Sequence, residues 1–434
     1  MTSYWCEYAF VDGSTRRGVR IGCGEDGRIT EVTVGVDQGD APVIAGVTLP
    51  GLANGHSHAF HRALRGRTNT RGSFWTWREE MYRIANLLDP DTYLDLATAT
   101  YAEMVMAGYT AVGEFHYLHH QPDGRPYDNP NQMGEVLCEA ARRAGIRLTL
   151  LDTCYLRGGI GQPLRPEQIR FGDTDAEAWA TRVSSLSDDE NTRIGAAIHS
   201  VRAVPEEATA IVAAAAANKP LHLHLSEQIQ ENGECLAIYG LTPTQFLANR
   251  GVLGPTTTAV HATHVEPEDI ALLASSATSV CLCPTTERDL GDGIDPGFAL
   301  DQAGVRLALG TDQHVTIDAF EEMRGLEMNQ RLKEKARGLF PPEKLLGLAA
   351  ANGHEVLGWP GGGRIEVGAH CDLVGVDPCS VRTAGSEPDQ IVMAATTADV
   401  KTVIVGGRRI VDDGKHQVSN VPQILAAAIN PLWE

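Results

Sequence analysis

Eight short runs of β-branched and apolar residues recur through the middle of the chain, separated by longer stretches rich in Ala, Leu and Glu. No other feature restricts the fold as much, because regular alternation of strand and helix builds parallel sheets. The runs lie near GVTLPGLANGHSH, YTAVGEFHY, IRLTLLDTCY, RIGAAIHS, KPLHLHLSE, TTAVHATH, TSVCLCP and VRLALGTDQH. Segments between them, such as TYLDLATATYAEMVMAG and PEEATAIVAAAAAN, read as helices. Eight successive βα units predict an α/β fold, a closed (β/α)8 TIM-type barrel over residues 49–364. Side chains able to bind a metal or move protons crowd the carboxyl ends of the runs: His56 and His58, His116 and Tyr117, His199, His224, His261 and Asp312. In a barrel of this type that end carries the chemistry.

Residues 1–48 and 365–434 have a different texture. RGVRIGCGEDGRITEVTVG near the start, and GRIEVGAHCDLVGVDP and VKTVIVGGRRIVDDGKH near the end, alternate apolar and polar positions between glycine turns. They predict a small β-sandwich built from both termini, followed by a terminal helix. With 434 residues, 43% of them hydrophobic and 21% charged, the chain can bury a large core. A formal charge of −20 disfavours a nucleic-acid partner. No apolar run reaches the ~20 residues that cross a membrane. The start MTSYWCEYAFVDGSTRR lacks a basic stretch followed by an apolar one, so a cytoplasmic location is expected. Nine scattered cysteines read as reduced thiols, and Cys281-x-Cys283, without a second pair, reads as packing.

Alternate residues of a strand share a face, so His56 and His58 can hold one ion. His222 and His224 have the same spacing, and either offers a third imidazole; the deeper His222 equally suits a satisfied core position. Asp312 at the end of the eighth run supplies a carboxylate for the ion and for a water proton, or else caps the helix that follows. Three imidazoles and a carboxylate suit Zn²⁺ with an open position and also tolerate Fe²⁺. Such a site lowers the pKa of a water to about 7. Glu227 and His261, on neighbouring strand ends, are placed to carry protons to a departing nitrogen. The third and fourth runs contain no lysine to bridge two ions, which favours one metal per chain.

With H-x-H on strand one, histidines on strands five and six and an aspartate on strand eight, the chain resembles the amidohydrolase superfamily along essentially its whole length. Within it, HAFHRALRG, SFWTWREEMYR, GEFHYLHH, HLHLSEQ, VHATH and LCPTTERDLGDG look like the formimidoylglutamate deiminases. The resemblance implies His56, His58, His224 and Asp312 as metal ligands and Glu227, His261 and Asp312 as catalytic. It implies that Arg78, Tyr117, His199 and Arg202 bind a small anionic amidine. Arginine forks suit the two carboxylates of such a substrate. Trp75 and Trp77 are expected to pack as a lid. His61 stands where the resemblance leads to a glutamine reaching the substrate, and Gln313 replaces a small residue. The alternatives are a related aminohydrolase acting on an amino-heterocycle or another amidine, and, more remotely, a non-catalytic scaffold. Barrels of this class often dimerise, so a homodimer is expected.

Overall fold

The computed structural model describes residues 2–68, 74–418 and 420–434. The first strands are β1 (Thr2–Val11), β2 (Ser14–Cys23), β3 (Ile29–Val34) and β4 (Val43–Pro50). Eight shorter strands follow: β5 (Leu52–Ser57), β6 (Tyr109–His116), β7 (Arg147–Cys154), β8 (Thr192–Ile198), β9 (Leu221–Leu225), β10 (Thr257–His261), β11 (Ser279–Leu282) and β12 (Leu307–Leu309). The last are β13 (Leu373–Val376), β14 (Val400–Val405), β15 (Arg408–Asp412) and β16 (Lys415–His416).

Strands β5 to β12 bond in sequence order into one sheet with parallel pairing throughout. A parallel bridge between Ser57 and Asp312 brings its first and last edges together. All eight expected strands are therefore present and make the expected barrel. Seven of them are buried at every residue, as parallel strands covered on both faces must be. The helix Pro90–Met106 illustrates the cover. Asp89 caps it by accepting from Thr92 N, Pro90 occupies the first turn, and Tyr93, Leu96, Ala97, Thr100, Tyr101 and Met104 turn inward at helical spacing.

The terminal strands form one continuous eight-stranded sheet in the order β16-β15-β14-β13-β4-β1-β2-β3. In it β4 pairs parallel with β1 and antiparallel with β13, so both ends of the chain share one sheet. Cys23 and Cys371, with Cα atoms 6.1 Å apart, are joined by a disulfide. This corrects the reading of all nine cysteines as reduced thiols. Sequence spacing hid the pair, because the turn after β2 meets the segment entering β13 through Cys371 N to Gly27 O (2.8 Å) and Ile29 N to Ala369 O (2.8 Å). Cys281 and Cys283 are packed in the barrel interior against Ala53, Val260 and Trp359, as expected. Among the described residues no helix is long and apolar enough to cross a membrane.

Barrel and terminal sheet are tied by a buried ion pair. Arg147, at the start of β7, donates to Asp372 Oδ2. Asp372 Oδ1 accepts from Gly406 N (2.7 Å), and its carbonyl accepts from Gly51 N (2.8 Å). Burial raises the carboxyl pKa of Asp372, but the Arg147 charge and hydrogen bond outweigh it and hold the pKa below its ordinary value. A depressed carboxyl contributes stability above its unfolded pKa and loses that contribution as pH falls through the folded value. Asp372→Ala strands a buried guanidinium and should cost ~3–5 kcal/mol in a urea titration at neutral pH. The difference from wild type should shrink on acidification; a difference that is small, or independent of pH, would contradict this account.

Candidate active site

At the carboxyl ends of the barrel strands, backbone strain accompanies the polar residues. Ser226, His261, Ala262, Asp312 and His314 all have left-handed φ, between 42° and 71°. Such conformations cost of order 1–3 kcal/mol each in non-glycine residues and persist only where the surroundings enforce them. Here they turn the ends of β9, β10 and β12 so that side chains point across the barrel axis. Close approach finishes the arrangement. A Cβ on Gly310 would lie 2.8 Å from His56 N, and one on Gly55 would lie 2.9 Å from Cys281 Sγ. Only glycine lets β12 and β11 come this near to β5.

Four groups converge there. His56 Nε2 lies 3.2 Å from His224 Nε2 and 3.3 Å from Asp312 Oδ1, and His58 Nε2 lies 3.4 Å from the same oxygen. Two of the outer nitrogens are already used: His58 Nδ1 donates to Phe115 O (2.9 Å) and His224 Nδ1 to His199 O (2.9 Å). Those bonds fix neutral tautomers whose Nε2 lone pairs face one another and a carboxylate. Lone pairs do not attract lone pairs, so this donor set fits a divalent cation at its centre. His222 does not join it; its Nε2 is engaged with Val356 O (3.0 Å). The capping alternative for Asp312 falls away as well, because Asp318 caps the following helix through Phe320 N and Glu321 N.

Burial dominates the electrostatics. It pushes His58 down to about 3, helped by His56, and lowers His56, His61, His199 and His224. All five are thus neutral and able to donate a lone pair. His261 goes the other way. Burial opposes its charge, but the carboxylates of Glu227 (3.8 Å) and Glu287 (3.5 Å) push it up to about 10. Glu227 is raised by burial, against His261 and Arg202. The pair is a protonated imidazole facing a carboxylate that is itself reluctant to ionise, an arrangement that can give and take a proton.

A cavity of about 660 Å³, including its open mouth, rises above these groups and is bordered by His58, His224, Glu227, His261 and Asp312. The sequence-predicted substrate residues His61, Arg78, Tyr117, His199 and Arg202 border the same space. His61 Nε2 sits 3.0 Å from Tyr117 Oη, so the substituted position faces the cavity. Gln313 turns away and donates to Asp289 (2.9 Å). The helix Phe74–Leu87 roofs the cavity with Phe74, Trp77, Arg78 and Met81, and Trp75 stacks on the Arg78 guanidinium at 4.4 Å. Ser73, the first residue of the SFWTWREEMYR motif, lies outside the described residues.

Three neighbours were not singled out from the sequence. Glu287 backs His261, and Glu231 forms an ion pair with Arg202, Oε2 to Nε at 2.8 Å, while Glu227 accepts from Arg202 Nη2 at 3.4 Å. Arg157 reaches the mouth just beyond β7. Glu287 stood inside the LCPTTERDLGDG motif; Glu231, on a helix, and Arg157, in a loop, carry no sequence signal of their own. A second buried group of ligand type, His116, His119 and Asp152, lies at the ends of β6 and β7. Both oxygens of Asp152 are occupied, by Arg182 (2.8 Å twice) and Trp179 Nε1 (3.0 Å), so that group is a structural network.

Known proteins supply the remaining comparison. The model of the amidohydrolase family matches residues 47–410. A formimidoylglutamate deiminase from Pseudomonas aeruginosa is 37% identical, with 96% of each chain covered. An 8-oxoguanine deaminase from the same organism is 30% identical over 93% of this chain and 92% of its own. Among solved structures, an amidohydrolase from Brucella melitensis superposes with a TM-score of 0.93 at 31% identity, covering both chains completely. The chain belongs to the amidohydrolase family.

Proposed function

We propose that the protein hydrolyses the terminal C–N bond of N-formimidoyl-L-glutamate, releasing ammonia and N-formyl-L-glutamate. The observation that carries this reading is the Glu227–His261 proton pair beside the His56/His58/His224/Asp312 ligand set, in a cavity that also presents Arg78 and Arg202. The 37% identical deiminase supports the choice of substrate.

His56, His58, His224 and Asp312 would hold a divalent ion, most simply one Zn²⁺, which when bound would lower the pKa of a water there to about 7. The residues of the chain do the rest. Asp312 takes the proton of the attacking water as a C–O bond forms at the formimidoyl carbon. Glu227 hydrogen-bonds the imine nitrogen and, with His261, delivers protons to it. The bond from carbon to that nitrogen then breaks, ammonia leaves, and the carbon keeps the new oxygen as a formyl group. Arg78 and Arg202 anchor the two carboxylates, with Tyr117 and His199 at their side and His61 bonded to Tyr117. Arg202 is held rigid by Glu231, which favours binding by reducing the ordering needed.

Aromatic walls from Phe74, Trp77 and Tyr155, together with the 30% identical 8-oxoguanine deaminase, support a second reading, deamination of an amino-heterocycle. The deciding assay measures ammonia from N-formimidoyl-L-glutamate with zinc-loaded protein and identifies the other product by mass. N-formylglutamate is expected; glutamate plus formamide would refute the mechanism. Turnover of an amino-purine, with none of the amidine, would transfer the case to the second reading. Asp312→Asn should stay soluble and lose at least about 100-fold in kcat; near-normal turnover would remove Asp312 from its role. Because Glu227 and Glu287 hold His261 protonated up to about pH 10, the alkaline limb of the rate profile should fall as that proton is lost. Removing a carboxylate lowers a raised pKa, so Glu287→Gln should move the limb to lower pH. An unmoved limb would mean that His261 is not the group titrating.

A further inference from the structure

Behind the ligand set runs a buried chain of hydrogen bonds that the proposed reaction does not use. Asn54 Nδ2 donates to Thr311 Oγ1 (2.6 Å), and Thr311 N donates back to Asn54 Oδ1 (2.9 Å). Thr311 Oγ1 lies 2.9 Å from His314 Nδ1, and His314 Nε2 lies 3.1 Å from Ser57 Oγ. Ser57 Oγ donates to Glu114 Oε2 (2.8 Å), while Glu114 Oε1 accepts from Ala59 N (2.7 Å). Arg65 Nε closes the far side by donating to the His314 carbonyl (2.5 Å). Asn54, Ser57, Glu114, Thr311 and His314 are all fully buried.

The chain couples three strand ends. Ser57 is the residue between His56 and His58, Ala59 follows His58, and Thr311 and His314 flank Asp312. Glu114, from β6, lies outside the two segments that carry these ligands, and it holds the H-x-H turn at two points. With Glu114 accepting at both oxygens, Ser57 donates to it and accepts from His314, and Thr311 donates to the other ring nitrogen. Each hydroxyl is then used once in each direction, and such chains strengthen cooperatively in a low-dielectric interior.

We infer that Glu114, acting through Ser57 and His314, is a positioning residue that sets the spacing between the H-x-H pair and Asp312, and so tunes how tightly the site holds its metal. This rests on the metal reading of the site. Outer partners of metal ligands are worth about 10- to 100-fold in metal affinity.

The test is a zinc titration of metal-stripped full-length protein against a chromophoric chelator, with the zinc dissociation rate followed separately. Thermal unfolding of each metal-free protein serves as the control. Glu114→Ala should weaken zinc binding about 10- to 100-fold and speed its release. Glu114→Gln, which still offers one acceptor oxygen, should fall between that variant and wild type. Ser57→Ala cuts the link while leaving Glu114 in place and bonded to Ala59 N, and should shift affinity in the same direction; it carries the test if Glu114→Ala does not fold. Variants that melt earlier yet bind and release zinc like wild type would overturn the inference and leave the metal site standing. A wild-type protein that binds no zinc would overturn both.

Discussion

Closure of the barrel brings β12 beside β5 at the Ser57–Asp312 bridge, and through that contact Asp312 joins the three candidate histidine ligands. His56 lies in the first strand of the sheet with His58 just beyond it, and Asp312 follows the last strand, so they come from opposite edges. Gly310 and Gly55 permit the approach by offering no side chain, and the buried hydrogen bonds around Ser57 fill the space behind it. Architecture and chemistry share one seam. A change that widened it by a few tenths of an ångström would disturb strand pairing and ligand spacing together.

The interior beside this seam carries more ionisable groups than a core normally tolerates, and their neighbours explain how. His56, His58 and His224 are kept neutral by burial, so they add no charge. Asp312 and Glu227 are balanced by His261 and Arg202, and Arg202 in turn by Glu231. Removing any one partner leaves a buried charge uncompensated, which is far more costly than never having had the pair. The left-handed residues at the strand ends belong to the same pattern: local strain is retained where it aims a functional side chain.

Much of this was legible in the sequence because it depends on short-range periodicity. Eight strand-like runs, and the clustering of His and Asp at their ends, follow from spacing alone, and all eight runs became barrel strands. Spacing could not choose between His222 and His224, which point the same way along β9; depth decides, since His222 meets the Val356 carbonyl and His224 reaches the axis. Contacts between distant segments were hidden for the same reason. Cys23 and Cys371 are brought together by sheet pairing across the whole barrel. Glu114, Glu231 and Glu287 matter through what they touch, and a carboxylate in a strand or helix looks the same in sequence whether it faces water or an imidazole.

The central position of β4 in the terminal sheet has a consequence for how the molecule is made. Its partners are β1, close by in sequence, and β13, which begins at Leu373. On a ribosome adding roughly 5–20 residues per second, β4 waits on the order of tens of seconds before its second neighbour exists. Throughout that time one of its edges, with the apolar Val47 and Leu49, has no partner strand, and an unpaired edge is open to another nascent chain. The barrel strands emerge during the wait and can pair in order as they appear. Completion of the terminal sheet is thus a late event, and the vulnerable species in the cell is a chain with its barrel mostly built and the β13-facing edge of β4 still unpaired.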